Sequence, residues 1–269
     1  MSVQRNNKVT VITVCYYAAA TIGKTIESVL SQNYDNYEYV VVDGASNDET
    51  LSIVESYRDE FERKNVQLTV VSGKDNGIYD AMNKGIDLAG GDWIIFMNAD
   101  DSFYDADTLR LVFDRELDGY SVVYGNCMRI DGHGSYPMKA NPPESLPKQM
   151  PFVHQAVFAK TDLCKKYKFD LNYNLCADYD FFFKLYALDY KFNQVDVTVC
   201  NYSVSGISGR ALLDAQKEVI QIKEKNSQKF SITPSDRRKW RKDALVMRLK
   251  MLMPEPVLSK LRQIKHYDK

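Results

Sequence analysis

The chain has no apolar run approaching the ~20 residues that a membrane-spanning helix requires. Its start, Met1 to Lys8, is polar and lacks the basic and apolar segments of a secretory leader. Cysteine is sparse. Cys15, Cys127, Cys164, Cys176 and Cys200 are odd in number and scattered, with no C-x-x-C pair, so the pattern offers neither a disulfide framework nor a zinc or redox spacing. No G-x-G-x-x-G follows a strand-like run, which disfavours a dinucleotide-dependent dehydrogenase. Internal repeats and low-complexity tracts are missing as well. Net charge is only -1, and nothing in the pattern calls for nucleic acid as a partner. These absences predict a protein of the reducing cytoplasm, and 269 residues suffice for one large α/β domain or two small ones.

What the chain does have is strand-like runs alternating with helical periodicity. Val9, Val11, Ile12 and Val14 make a first strand from Lys8 to Cys15, and Thr21 caps a helix carried by Ile22, Ile26, Val29 and Leu30. Tyr37 to Val42 is a second strand, after which Ser46 and Glu49 stand at capping-box spacing and predict a helix reaching Phe61. Val66 to Val71 is a third strand, Gly77 to Leu88 a helix, and Trp93-Ile94-Ile95-Phe96-Met97 a fourth strand buried on both faces. This alternation predicts an α/β fold with a mostly parallel, doubly wound sheet flanked by helices. Thr108 to Leu117 reads as helix and Ser121 to Gly125 as strand, before Gly132, Gly134, Pro137, Pro142, Pro143, Pro147 and Pro151 break the pattern into loops. Val153 to Ala159 returns to strand, Asp178 to Leu188 is an apolar helix, Phe192 to Tyr202 a strand, and Ala211 to Lys229 a charged helix. The predicted organisation is a catalytic domain over residues 1–230 and a basic helical appendage over 231–269.

The fourth strand stops at Asn98-Ala99-Asp100-Asp101. In open α/β sheets ligands collect beyond the strands' carboxyl ends, and a hard divalent cation carrying its own phosphates needs only one or two protein oxygens. Asp100 and Asp101 therefore suggest a metal site, or else a helix cap. Asp43 ends the second strand at the same edge, where its carboxylate can accept from a nucleobase ring N–H or serve the helix start near Ser46. The stretch Lys74-Asp75-Asn76-Gly77 combines a cation, a turn glycine and a helix N-terminus, a setting attractive to anions. Asp80 and Lys84, four apart, also fit a surface ion pair. His154-Gln155 lies between Pro151 and a strand, where a lone histidine is as a rule a structural donor. The small-residue loop Ser203 to Gly209 is either a lid or a plain connection.

Four motifs occur in a fixed order: Val11-Ile12-Thr13-Val14 with Tyr16-Tyr17; Val41-Val42-Asp43-Gly44-Ala45-Ser46-Asn47-Asp48-Glu49-Thr50; Asp75-Asn76-Gly77-Ile78-Tyr79-Asp80-Ala81-Met82-Asn83-Lys84-Gly85; and Phe96-Met97-Asn98-Ala99-Asp100-Asp101. With weaker matches at His154-Gln155 and Ala177-Asp178-Tyr179-Asp180, residues 8–210 resemble the inverting nucleotide-sugar glycosyltransferases of the family 2 type, which have the GT-A fold. The resemblance implies transfer of a sugar from a nucleotide-diphosphate donor, a UDP-sugar, to a hydroxyl of a glycan or lipid-linked acceptor in bacterial surface polysaccharide synthesis, with Mn or Mg as cofactor. It implies that Asp43 binds the base, that residues around Thr13 and Tyr16 wall the uridine pocket, and that the segment of Lys74 and Asp80 holds the nucleoside. Asn98-Ala99-Asp100-Asp101 fills the place of the family's D-x-D motif, with Asn98 keeping a carbonyl oxygen but losing a charge. Asp100 and Asp101 then divide the cation and the ribose between them, in an order left open. Such a metal is called for because the departing nucleoside diphosphate accumulates negative charge.

In the family the catalytic base is the Asp of a Glu-Asp pair, which falls on Asp178, with Ala177 in place of the Glu. Asp180 begins the same helix, but two positions apart on a helix the side chains diverge by about 200°. Asp180 precedes Lys184 by four, the spacing of an ion pair, whereas Asp178 stands where the helix dipole favours an ionised base. Among rival readings, a sugar-nucleotide pyrophosphorylase would carry a Gly-rich, Arg-containing loop after the first strand, where this chain has Tyr16-Tyr17-Ala18-Ala19-Ala20. A catalytically silent scaffold that binds through its tail is another. Residues 236–269 hold eleven Lys/Arg against four Asp/Glu. Arg237, Arg238, Lys239, Arg241 and Lys242 interleave with Trp240, Leu245 and Leu249, which predicts either peripheral binding of 237–265 to the anionic inner face of the cell membrane or packing on the catalytic domain.

Overall fold

The computed structural model describes residues 7–131, 134–203 and 212–226, together with the single positions Arg238, Lys242 and Leu245. The chain divides into two compact units, 1–206 and 207–269. In the first unit β1 (Val9–Cys15), α1 (Ile22–Leu30), β2 (Tyr37–Asp43), α2 (Thr50–Ser56), α3 (Arg58–Arg63), β3 (Gln67–Ser72), α4 (Ile78–Leu88) and β4 (Trp93–Phe96) alternate as the sequence predicts. The strands lie in the order β3-β2-β1-β4, all parallel. Every residue of β1, β2 and β4 is buried, which is why these strands read as unbroken apolar runs. Successive strands run outward from β1 to β3 and then jump back across it to β4. Their carboxyl ends therefore open a crevice between β1 and β4, where ligands of such sheets bind.

Beyond β4 come β5 (Ser102–Phe103), α5 (Thr108–Phe113), β6 (Val122–Asp131), β7 (Gly134–Met138), β8 (Val157–Lys160), α6 (Thr161–Tyr167), α7 (Ala177–Ala187) and β9 (Phe192–Ser203). The sheet continues β8-β6-β9-β5, with β7 on β6. Here β8 runs antiparallel to both β4 and β6, while β9 is parallel to β6, so the sheet is mixed but mostly parallel. The β6–β9 register shifts around Asn126. Gly125 permits this: a Cβ there would lie 2.4 Å from the Val197 carbonyl oxygen. Trp93, Phe113 and Phe158 form the aromatic centre under the sheet, with the Lys160 ammonium 4.2 Å above the Trp93 ring.

Several local expectations are corrected. The helix expected from Ser46 to Phe61 is two short helices, α2 and α3, and no Ser46/Glu49 capping box forms. Instead Asp48 Oδ1 accepts from the Thr50 amide (3.1 Å) and hydroxyl (2.6 Å), while Ser46 Oγ accepts from the Tyr17 amide at 2.9 Å. Thr21 sits at the α1 N-cap but makes no capping bond with its side chain. The strand expected from Val153 begins only at Val157, because His154–Ala156 is a 3-10 turn. Helix α6 was not foreseen. In the second unit, α8 (Leu212–Lys225) places Asp214 in its first turn and Lys223 and Lys225 in its last, matching the helix macrodipole. The tail predicted to bind membrane, 237–265, lies outside the described residues apart from the three single positions. Of the 203–209 loop only Ser203 is described. No described helix is long and apolar enough to cross a membrane.

Candidate active site

Parallel register brings Cys15, Asp43 and Ser72 side by side at one sheet edge. Asp43 is fully buried there. Its Oδ2 accepts from Ser72 Oγ at 2.6 Å and from the Ser46 amide at 3.0 Å, and Cys15 Sγ lies 3.8 Å from Oδ1. Asp43 thus ties the ends of β2 and β3 to the 44–47 loop. Helix capping is not its job, since α2 starts only at Thr50. Just above it a notch forms where Tyr16, Gly44 and Asp75 converge. A Cβ on Gly44 would stand 2.7 Å from Asp75 Oδ2 and 3.2 Å from Tyr16 Cδ2. Tyr16 is largely exposed, with Tyr17 edge-on to it at 4.5 Å. An exposed aromatic wall beside a carboxylate suits a nucleobase that stacks and donates a ring N–H. Thr13, expected in that wall, is fully buried, and its hydroxyl is spent donating to Met97 O (2.7 Å) and accepting from Tyr39 (2.8 Å). Its side chain braces β1 against β4 beneath the notch.

The stretch after β3 is shaped by short-range bonds. Asp75 Oδ1 accepts from the Gly77 amide at 3.0 Å, and Gly77 adopts φ 112°, open to glycine alone at little cost. Asp80 Oδ2 accepts from the Asn76 amide at 2.9 Å and lies 3.4 Å from Lys84 Nζ. These contacts hold the Asp80 carboxyl below the ordinary range, with the Asn76 bond outweighing partial burial. Asp80 is therefore committed to the start of α4, and Lys84 also donates to the Lys74 carbonyl at 2.8 Å. Lys74 itself is exposed.

The turn after β4 is pinned by α1, because Thr25 Oγ1 donates to Asp101 O at 2.6 Å. The two aspartates then separate. Asp101 is 1% exposed, with Oδ2 accepting from Gln155 Nε2 at 2.7 Å and Oδ1 from the Ser203 amide at 3.0 Å. Burial, reinforced by the charge of Asp100, pushes its carboxyl up to about 6 against those two bonds. Asp101 is thus a clamp between the β4 turn, the 3-10 turn and β9, whereas Asp100 is half-buried. Asn98 Oδ1 is buried without a hydrogen-bond partner, an unspent acceptor in the same turn. Among the described residues no three His, Cys, Asp or Glu side chains cluster to cage a metal. The donor set fits a cation that arrives with its own phosphates and takes a single carboxylate, Asp100.

Across the crevice, α7 presents Asp178. Its Oδ1 accepts from the Tyr79 hydroxyl at 2.9 Å, and its Oδ2 lies 3.4 Å from His154 Nδ1. His154 Nε2 in turn stands 3.3 Å from Asn98 Nδ2. Burial alone would raise the Asp178 carboxyl, but the hydrogen bonds from His154 and Tyr79 outweigh it and hold the group below the ordinary carboxylate range. Tyr79 is pushed well above the usual phenol range by burial and by Asp178, so it stays a donor. Asp178 remains 18% exposed and is ionised at neutral pH. Asp180 points the other way, 1% exposed and 3.4 Å from Lys184 Nζ, the ion pair expected from their spacing. Of the residues singled out from sequence, the structure brings Asn98, His154 and Asp178 into one chain of contacts, sets Tyr16 beside Asp75, and turns Asp180 and Thr13 inward.

Sequence reasoning passed over Tyr79, Asn83, Gln155 and Asp75 as site residues. A signal existed for two of them. Tyr79, Asn83 and Ile86 recur at helical spacing on the buried face of α4, and an amide on an apolar face implies a partner. That partner is Phe169, whose N–H and C=O both pair with the Asn83 amide at 2.9 Å.

The model of Glycosyl transferase family 2 matches residues 10–181. A PGL/p-HBAD biosynthesis glycosyltransferase of Mycobacterium bovis is 31% identical over 208 residues, 74% of this chain and 77% of its own length. The amylovoran biosynthesis glycosyltransferase AmsB of Erwinia amylovora is 27% identical over 71% of this chain and 68% of its own. Among solved structures, S. aureus TarS in complex with UDP superposes with a TM-score of 0.63 at 21% identity, covering 81% of this chain, which spans 65% of that TarS chain. The mannosyltransferase PcManGT from Pyrobaculum calidifontis, in complex with GDP-Man and Mn2+, gives 0.63 at 19% identity over 97% of this chain and 80% of that one. These structures share the GT-A-type fold, and the family match spans the notch, the β4 turn and Asp178: the chain belongs to glycosyl transferase family 2.

Proposed function

We propose that the protein transfers one sugar from a nucleotide-diphosphate donor, a UDP-sugar, to a hydroxyl of a glycan or lipid-linked acceptor with inversion, in bacterial surface glycan synthesis. The observation that carries this reading is the ionised Asp178 carboxylate facing the β4 turn through His154 and Asn98. An inverting transfer needs one base opposite the leaving group. Asp178 takes the acceptor's proton as the hydroxyl oxygen attacks the anomeric carbon, and the nucleoside diphosphate departs with the bonding pair. Tyr16 and Asp75 hold the base, above the brace made by Asp43 and Thr13. Asp100 would hold Mn or Mg together with the donor's diphosphate, and the ion supplies Lewis-acid stabilisation of the leaving group when bound. Support comes from relatives named for glycolipid and exopolysaccharide synthesis, and from UDP- and Mn2+-bound proteins of the same fold.

A thermal-shift panel of UDP-, GDP- and TDP-sugars with and without Mn tests the reading. A true donor at 100 times its Kd should stabilise the fold by about 2.7 kcal/mol. That shift should require Mn and vanish in Asp100→Asn. Stabilisation by no nucleotide sugar, or a shift indifferent to both metal and Asp100, refutes it.

A further inference from the structure

The side chains of Asn98, His154, Asp178 and Tyr79 form a continuous line from the donor-side turn to α4, through contacts of 3.3, 3.4 and 2.9 Å. The hydrogen-bonding chemistry of this line is restrictive. An amide nitrogen can only donate, so with the Asn98 amide in this orientation Nε2 of His154 accepts from Nδ2. A neutral imidazole whose Nε2 accepts carries its proton on Nδ1, and Nδ1 faces the Asp178 carboxylate. One tautomer therefore satisfies both ends. Tyr79 binds the other carboxylate oxygen, so the plane of Asp178 is fixed by two donors, one on each oxygen. Each oxygen keeps a lone pair for the incoming proton.

We propose that Asn98 and His154 are positioning residues for the catalytic base: the Asn98 amide fixes the Nδ1–H tautomer of His154, and that imidazole with Tyr79 orients the Asp178 carboxylate toward the acceptor. The inference rests on the reading of Asp178 as base. It gives a physical reason for asparagine at the position where the family motif has aspartate. A carboxylate at 98 would demand a proton on Nε2, and a neutral imidazole would then turn a bare Nδ1 lone pair toward Asp178. It also makes the donor turn and the base one connected unit, because the Asn98 amide contacts the imidazole that contacts Asp178.

The test begins with the imidazole of the full-length protein, by two-bond 1H–15N correlation. His154 is expected as the Nδ1–H tautomer, and its ring nitrogens should shift toward a tautomer mixture in Asn98→Ala. An Nε2–H tautomer, or ring shifts indifferent to Asn98→Ala, overturns the proposal without any demand on activity. Kinetics supply the second arm. His154→Ala should lower kcat ten- to a hundredfold with donor KM unchanged. His154→Asn, whose amide reaches the Nδ1 position, should recover more of kcat than His154→Gln, whose amide reaches the Nε2 position. Equal losses in those two variants, or a change confined to KM, would mark His154 as merely structural. Loss of transfer in Asp178→Asn together with an indifferent His154 spectrum overturns this inference alone. Full transfer in Asp178→Asn overturns the base reading, and this inference falls with it.

Discussion

Replacing Asp178 and Asp180 in turn by asparagine separates chemistry from stability within one helix. In Asp178→Asn the carbonyl oxygen can still accept from His154 Nδ1, while the new NH2 faces the Tyr79 oxygen. Tyr79 has a second acceptor ready, the Leu175 carbonyl at 3.0 Å, and can turn its hydroxyl there while accepting from the amide. The mismatch is absorbed, so the fold should lose about 1 kcal/mol at most, the worth of one ordinary hydrogen bond. The proton acceptor is gone, however, and loss of a general base costs about 100-fold or more in kcat, or about 2.7 kcal/mol of barrier. Asp180→Asn should do the reverse. The sequence spacing suggests an exposed ion pair worth a few tenths of a kcal/mol, but Asp180 is 1% exposed, and its loss strips a buried carboxylate from the 3.4 Å pair with Lys184. Stability should fall by about 1–3 kcal/mol while transfer persists. The assay is donor turnover at saturating acceptor beside thermal melts of both variants. A dead Asp180→Asn with an active Asp178→Asn would refute the assignment.

Two further outcomes are expected. Burial and the charge of Asp100 raise the Asp101 carboxyl to about 6, above the ordinary carboxylate range, so the folded state binds this proton more tightly than the unfolded state. Its contribution to stability is present below the unfolded value and is lost as pH rises through about 6, so wild-type melting temperature measured against Asp101→Asn in chelator should fall across that window; a flat difference would show that the carboxyl is not buried as described. For the basic tail, about 1 kcal/mol of attraction per Lys or Arg near an anionic surface predicts flotation of the whole chain with phosphatidylglycerol vesicles, lost in a chain ending near residue 230; equal partition of the two would sink the membrane proposal.

How much of this was legible beforehand follows from the range of the interactions. The parallel half of the sheet announced itself because β1, β2 and β4 are buried on both faces and a continuous apolar run records that directly. The far half was legible as strands at β6, β8 and β9 but not in its pairing. The pairing of β8 with β4 and β6, and of β9 with β6, joins segments far apart in the chain, and β7 even carries Pro137 opposite Met128. That Asp178 and Asp180 point apart, with Asp180 paired to Lys184, was legible from helical geometry alone. That Asp101 would be buried was not, because the groups that bind it, Gln155 and Ser203, lie 54 and 102 residues further on. Capping near α2 misled for a local reason: the Ser46 amide that Glu49 would bind donates to Asp43 Oδ2, and Ser46 Oγ accepts from the Tyr17 amide instead.

The long motif over residues 75–85 divides between the notch and the core. Resemblance associates this stretch with the nucleoside, and Asp75, before the helix, reaches the notch beside Tyr16. One face of the helix, with Tyr79, Met82, Asn83, Gly85 and Ile86, is buried. Tyr79 holds Asp178, Asn83 grips both backbone groups of Phe169, and Gly85 lets α4 approach β1 so closely that a Cβ would stand 2.6 Å from Ile12 Cγ2. Phe169 then packs against Tyr79, Phe96 and Phe181 at centroid distances of 5.3, 5.5 and 5.4 Å, joining α4, β4 and α7 around the base. Asn83→Ala leaves a buried N–H and a buried C=O of Phe169 unpaired, at about 1–3 kcal/mol each. The variant should melt well below wild type and lose kcat at temperatures where it remains folded, because the segment leading into α7 is no longer anchored. Donor KM should not change. Were donor KM to rise with kcat intact, the helix would be binding the nucleoside after all, and its role as the support for the base would be wrong.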